Sequence, residues 1–254
     1  MKPIVIIAAL PQEVELLEQA LEYSGKVKAG GYEYVEGTIG NGQVVVCAGG
    51  VGKVNAAAAT AVMIDRYRPR LVINTGCAGA YIGSGLSIGD LVVASEEVLA
   101  DEGVVVADGW KDLRFMNLPS IEQDGESCYN VLPLTSHASE KALQLAEKYG
   151  VFLMRGRSST VSTCSGSSRF AAELSQRWNA LIENMEGGAV VQVCLRCGID
   201  CLEIRGISNL VEERDMKTWN IPRAVEAAQR FVLKYIEEIG RSDESPALKV
   251  IPEL

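Results

Sequence analysis

Residues 181–215 read LIENMEGGAVVQVCLRCGIDCLEIRGISNLVEERD. A short strand is expected over 180–183, a helix of small and apolar residues over 186–197, and a second strand over 199–207. Strand, helix and strand follow one another with few residues between them, which predicts a layered α/β fold rather than separate α and β regions. Two features call for an explanation. Glu186 stands at the head of the helix, where a carboxylate complements the positive end of the helix dipole, yet Gly187 and Gly188 follow it and leave room for a neighbour or a ligand. The second strand ends at Ser208 and Asn209, and a neutral amide there either caps backbone groups or faces a ligand. Glu203 and Arg205 alternate with Leu202 and Ile204, as the polar face of a strand would.

The alternation extends along the chain. PIVIIAA (3–9) is nearly continuous in apolar residues, as a strand buried on both faces should be, and Pro11 is placed to open a helix through about Tyr23. YEYVEGTIGNGQVVVCAG (32–49) reads as two antiparallel strands with Asn41-Gly42 near the turn. A helix is expected over 52–67, strands over 70–76 and 88–98, a helix over 137–149, a strand over 158–164, and helices over 166–177 and 220–239. Residues 104–135 lack clean periodicity and predict a long loop or lid. The expected fold is a single α/β domain over residues 1–240, with a mixed, mostly parallel central sheet flanked by helices, and a mobile tail over 241–254. In such sheets ligands gather outside the carboxyl ends of the strands, so strand-end residues carry the functional expectations.

Composition narrows the function. Across 254 residues the net charge is −9, so no excess of Lys and Arg exists to release counterions from nucleic acid or to hold an anionic membrane. No apolar run approaches the length of a membrane span, and MKPIVIIAALPQEVE turns acidic where a signal peptide would show small residues. A cytoplasmic protein with a small-molecule partner is expected. Seven cysteines are scattered through apolar segments, which suits reduced core thiols. Cys194, Cys197 and Cys201 cluster, but the one histidine, His137, is far off in sequence and no second CxxC completes a tetrahedral set. Neither a metal nor a cofactor is expected.

AGGVGKV (48–54) lies between a strand and a helix without being a phosphate loop. G-x-x-x-x-G-K-[ST] would need Gly at 47 and Ser or Thr at 54, where Cys47 and Val54 stand. Gly50 and Gly52 belong either to a loop that lets backbone approach a ligand or to a plain tight turn. Glu13, in the first turn after Pro11, has a helix-dipole reading beside a catalytic one.

Six segments, in order over about residues 3–240, resemble the superfamily of purine nucleoside phosphorylases and 5′-methylthioadenosine/S-adenosylhomocysteine nucleosidases: IVIIAALPQEVELL, AGGVGKVNAA, VINTGCAGA, GDLVVASEEV, NMEGGAVVQVC and RGISN. Over its last segments the chain is most similar to the futalosine hydrolases of the menaquinone route. The resemblance implies a nucleoside phosphorylase-like fold and, at matching positions, roles for eight residues. Glu13 would activate the attacking water, and Met185 and Glu186 would hold the ribose. Arg205 would support the site, Gly50 and Gly52 would approach the substrate, and Ser208 with Asn209 would face the purine. Adenine-cleaving members carry an Asp where Asn209 stands. An amide pairs the other way: its NH₂ donates to a 6-oxo oxygen and its carbonyl accepts from a protonated N7. VSTCSGSS (161–168) lacks the aromatic that nucleosidases place there against the base.

Phosphorylases of this kind gather arginines around phosphate, and AALPQEV, AGGVGKV and NTGCAGA contain none, so water is the expected nucleophile. The expected activity is hydrolysis of futalosine to hypoxanthine and dehypoxanthinylfutalosine by a homo-oligomer. The alternatives are an adenine-releasing nucleosidase, a purine nucleoside phosphorylase and a non-catalytic nucleoside-binding sensor.

Overall fold

Ile4–Ala8 (β1) is buried at every position because it pairs in parallel with a strand on each side. Its alternate side chains enter opposite layers: Ile4 and Ile6 pack into one apolar core, Val5 and Ile7 into another. A strand so placed has no polar face, which is why its sequence reads as one apolar run. These relations come from a computed structural model that describes residues 2–123 and 125–242.

After β1 come a 3₁₀ turn (Pro11–Glu13), α1 (Glu15–Gln19), β2 (Glu22–Ala29), β3 (Tyr32–Ile39), β4 (Gly42–Ala48), α2 (Lys53–Tyr67), β5 (Leu71–Tyr81) and β6 (Leu91–Leu99). Five short strands follow: β7 (Gly103–Val106), β8 (Gly109–Asp112), β9 (Ile121–Gln123), β10 (Glu126–Cys128) and β11 (Val131–Pro133). The remainder is α3 (Ser136–Tyr149), β12 (Leu153–Thr160), α4 (Ser168–Trp178), β13 (Ile182–Asn184), α5 (Gly187–Cys197), β14 (Cys201–Val211) and α6 (Ile221–Ser242). The main sheet runs β11-β6-β12-β13-β5-β1-β4-β3-β2, and β14 bridges β5 in parallel and β6 antiparallel. Strands β6, β12, β13, β5 and β14 therefore close a ring of five. Helices α3 and α6 cover one face of the sheet, α2 and α5 the other. This is the single α/β domain with a mixed sheet and flanking helices that the sequence predicts.

Three local expectations need correction. The helix after Pro11 ends by Ala20, and residues 22–29 form edge strand β2 against β3. Most β2 side chains are exposed, so no apolar alternation marks it in the sequence. Residues 104–135 are not a structureless loop: β7–β8 and β9–β10 are two ribbons, and β11 joins β6. Strands of three or four residues are too short to display a period. Strand β12 begins at Leu153, five residues ahead of expectation, because Arg155 and Arg157 interrupt its apolar character. Of the tail expected over 241–254, residues 241 and 242 belong to α6, and residues 243–254 lie outside the described residues. No helix among the described residues is long and apolar enough to cross a membrane.

Helix α6 presses on β14 at a single glycine, where a Cβ on Gly206 would collide with the backbone of Ala224. Gly206→Ala is expected to lower the unfolding free energy by about 1–3 kcal/mol through overpacking. Gly240→Ala, with open space around it in the same helix, should change stability by no more than about 1 kcal/mol, and in the stabilising direction. Urea midpoints of the two variants check this; equal effects would contradict the packing.

Candidate active site

Asn209 reaches the carboxyl end of the sheet through a bulge. From Cys201↔Val72 to Ile207↔Ala78 the β14–β5 register is regular, and the next pair is Asn209↔Gly79, which leaves Ser208 as the extra residue. A bulge bends its strand and re-aims side chains. Both Ser208 and Asn209 line a cavity of about 190 Å³ together with Leu10, Glu13, Val51, Cys77, Glu183, Met185, Glu186, Arg214 and Trp219. The Ser208 hydroxyl lies 2.7 Å from Asn209 Oδ1 and 3.1 Å from the Ala78 carbonyl, and Asn209 Nδ2 donates to the Leu210 carbonyl at 2.9 Å. The amide is thus fixed from the strand side.

Glu13 is 4% exposed. Its Oε2 accepts from the amides of Ala9 (3.0 Å) and Leu10 (2.9 Å), and its Oε1 from that of Cys77 (3.0 Å). Three backbone donors fix this carboxylate where β1 and β5 emerge. A side chain at Gly76 would strike Glu13 Oε1 and approach Arg205 Nη1, so the position takes only glycine.

Glu186 caps α5, and its Oε1 accepts from the Gly52 amide at 2.9 Å while Oε2 lies 3.7 Å from Arg205 Nη1. Burial raises its pKa, against the lowering effect of Arg205. Gly52 has φ +92° and Gly50 φ +105°, backbone that favours glycine. The Gly50 amide bonds to the Ala9 carbonyl, and it is Val51 between them that lines the cavity. The loop therefore serves Glu186 through the Gly52 amide. Met185 lines the cavity with its sulfur 3.2 Å from Cys164 Sγ, and burial pushes the Cys77 thiol up to about 12.

Arg205 is 1% exposed. Its Nε donates to Glu203 Oε1 at 2.8 Å and its Nη2 to Asn74 Oδ1. Burial opposes its charge, but Glu203 and Glu186 outweigh it and hold the guanidinium protonated. Sequence reading places Arg205 near the site and takes Glu203 for part of a polar strand face. It misses Glu97, Asn184 and Glu183. Glu97 and Glu203 are both fully buried inside the five-strand ring, and Asn184 Nδ2 lies 2.7 Å from Glu97 Oε1 and 3.3 Å from Glu203 Oε1. Glu183 accepts from the Ser165 amide (2.8 Å), the Ser165 hydroxyl (2.5 Å) and the Tyr81 hydroxyl (3.1 Å). The available signal was an acidic residue within an apolar strand, as in VVASEEV. Among the described residues no His, Cys, Asp and Glu group is arranged to hold a metal ion.

The sequence profile of the phosphorylase superfamily matches residues 3–237. A 5′-methylthioadenosine/S-adenosylhomocysteine nucleosidase of Halalkalibacterium halodurans is 30% identical over 211 residues, 83% of this chain and 86% of that protein. One from Bacillus thuringiensis is 28% identical over 239 residues, 93% and 99% of the two chains. The crystal structure of the Neisseria meningitidis nucleosidase in complex with methylthio-immucillin-A superposes with a TM-score of 0.82 at 25% identity, over 94% of this chain and 100% of that one. The Colwellia psychrerythraea nucleosidase in complex with adenine gives 0.80 at 25% identity, over 92% and 94%.

Because burial raises the pKa of Glu186, its neutral form contributes stability that is fully present below the ordinary glutamate value of about 4.3 and is lost as pH rises through the raised value. Glu186→Gln, which cannot ionise, keeps that contribution. The melting temperature of the variant relative to the natural protein should therefore be higher at pH 8 than at pH 4. A difference that does not change with pH would contradict the assigned burial penalty.

Proposed function

The chain belongs to the phosphorylase superfamily and is an N-glycosyl hydrolase that acts on nucleosides; on that premise we propose that its substrate is a 6-oxopurine riboside of the futalosine type and its products are hypoxanthine and the free sugar moiety. The observation that carries the choice of base is Asn209. It lines the cavity with one amide N–H and the Oδ1 already engaged on the strand side, and its remaining N–H and lone pair have no protein partner among the described residues. A 6-oxo oxygen and a protonated N7 match them. An amide does not titrate, so the N7 proton comes from water.

In this reading the other groups act on the sugar and the nucleophile. Rupture of the N-ribosidic bond builds positive charge on the ribose, and Glu186 faces that charge through the 2′- and 3′-hydroxyls, with Met185 beside it. Glu13, its orientation set by three amides, takes a proton from the attacking water. Arg205 is engaged by carboxylates rather than open to an anion, which supports water over phosphate.

A second reading has its own support. The similar proteins named above are methylthioadenosine/S-adenosylhomocysteine nucleosidases, and similarity taken alone favours release of adenine. The two readings differ at position 6 of the purine. Against a 6-amino group Asn209 would leave donors unpaired in a dry pocket, at about 1–3 kcal/mol each.

The discriminating experiment compares two substrates with the same 5′ tail. The natural protein should prefer the 6-oxopurine by roughly tenfold to a few hundredfold in kcat/KM, and Asn209→Asp should reduce that ratio. A natural preference for the 6-aminopurine would support the adenine reading, and a ratio unchanged by the substitution would remove Asn209 as the reader of position 6. Separately, Glu13→Gln should fold normally and lose about 10²–10⁴ in turnover; near-natural rates would exclude Glu13 as the base.

A further inference from the structure

Behind the cavity, inside the five-strand ring, two carboxyl groups meet under the head of α5. A Cβ on Gly187 would fall on Glu97 Oε1 and on both oxygens of Glu203, so the first turn of the helix rests on the pair. The hydrogen bonds around them do not balance if both are ionised. Glu97 receives neutral donors only, Thr160 Oγ1 at 2.7 Å and Asn184 Nδ2 at 2.7 Å. Glu203 Oε1 receives the charged Nε of Arg205 at 2.8 Å. Glu203 Oε2 is buried with no hydrogen-bond partner among the described residues. Two fully buried carboxylates this close cannot both stay charged, and a proton on one supplies the donor that the other lacks. Glu203 is the member paired with a cation, so the proton sits on Glu97.

Asn184 connects this pair to the cavity. Its Oδ1 accepts from the amides of Glu186 (2.9 Å) and Gly187 (2.7 Å), while its Nδ2 faces Glu97 Oε1, Ser158 Oγ (2.8 Å) and Glu203 Oε1. The Asn184 side chain is thus the peg that sets where α5 begins and hence where the Glu186 carboxylate stands. We propose that Glu97 is a positioning residue that holds a proton shared with Glu203, and that this singly protonated pair fixes Asn184 and, through it, the backbone that aims Glu186 at the ribose. The other ionisable groups around the pair are Arg205 and Cys201 on β14, Cys194 and Glu186 on α5, Tyr81 on β5 and Glu183 on β13. Burial first, and then Glu203, raises the Glu97 carboxyl well above the ordinary range, in agreement with the geometry. Loss of the proton would place a second buried charge against Glu203 and pull the amide of Asn184 out of its seat. The role in aiming Glu186 rests on the nucleosidase reading above; the location of the proton does not.

The test has a spectroscopic arm and a kinetic arm. The infrared spectrum of the full chain at neutral pH should show the carbonyl band of a buried protonated carboxyl group, and that band should be absent in Glu97→Gln. In the kinetic arm Glu97→Gln, whose amide reproduces a neutral donor, should keep kcat/KM within about threefold of the natural enzyme, whereas Glu97→Ala should lose about tenfold or more. A band that persists in Glu97→Gln overturns the assignment of the proton. Loss of the band with Glu97→Gln as slow as Glu97→Ala, or with neither variant slowed, overturns the positioning role. If Glu97→Ala does not fold, the Gln variant and the infrared band still decide. If the natural protein releases no base from any nucleoside, the nucleosidase reading fails while the infrared arm still reports on the pair.

Discussion

One guanidinium, that of Arg205, is buried among carboxylates, and the site is arranged around it. Arg205 binds Glu203 directly, stands 3.7 Å from Glu186 Oε2, and approaches Glu13 across the gap left by Gly76. Removal of Glu203, the carboxylate bonded directly to Arg205, would leave an uncompensated buried charge and cost about 3–5 kcal/mol. Glycine is needed at two points of closest approach: Gly76, where β5 passes Glu13 and Arg205, and Gly187, where α5 meets Glu97 and Glu203. Closure of β6, β12, β13, β5 and β14 into a ring supplies the enclosed space in which Glu97, Glu203 and Arg205 are buried.

The same constraint shapes the proposed chemistry. With Arg205 engaged, the side of the cavity facing Glu13 and Glu186 is a surface of negative charge and backbone donors. Such a surface suits a sugar that becomes positive as its bond to the base breaks, and it opposes an incoming phosphate. Choice of base is left to the other end of the cavity, where the bulge at Ser208 presents a neutral amide. In the proposed reading bond cleavage rests on Glu13 and Glu186, and base selection on Asn209, which shares β14 with Arg205. A substitution at Asn209 can change specificity without disturbing the charged set.

Much of this was legible in the sequence, for physical reasons that differ by element. β1 shows itself because a strand covered on both faces is apolar throughout, and β5 because it opens on the same kind of run, Leu71–Ile73. Glu186 and Asn209 stand out because the sequence places them at a helix head and past the end of an apolar run, where side chains meet ligands, and Arg205 because it is a charge among apolar neighbours. Glu97 and Asn184 do not, since their importance comes from meeting across strands that lie 87 residues apart in the chain. The bulge at Ser208 also leaves no composition signal; it is visible only as a shift of register against β5. Edge strand β2 and the ribbons over 103–128 escape because exposed or three-residue strands carry no hydrophobic period.

The central claim is that this charged cavity hydrolyses an N-ribosidic bond. It is tested most directly by the sugar product formed from a 6-oxopurine riboside, with and without a large excess of inorganic phosphate. A hydrolase releases a free reducing sugar in both cases, at a rate that phosphate does not raise. Formation of the sugar 1-phosphate, with a rate that climbs with phosphate concentration, would contradict it.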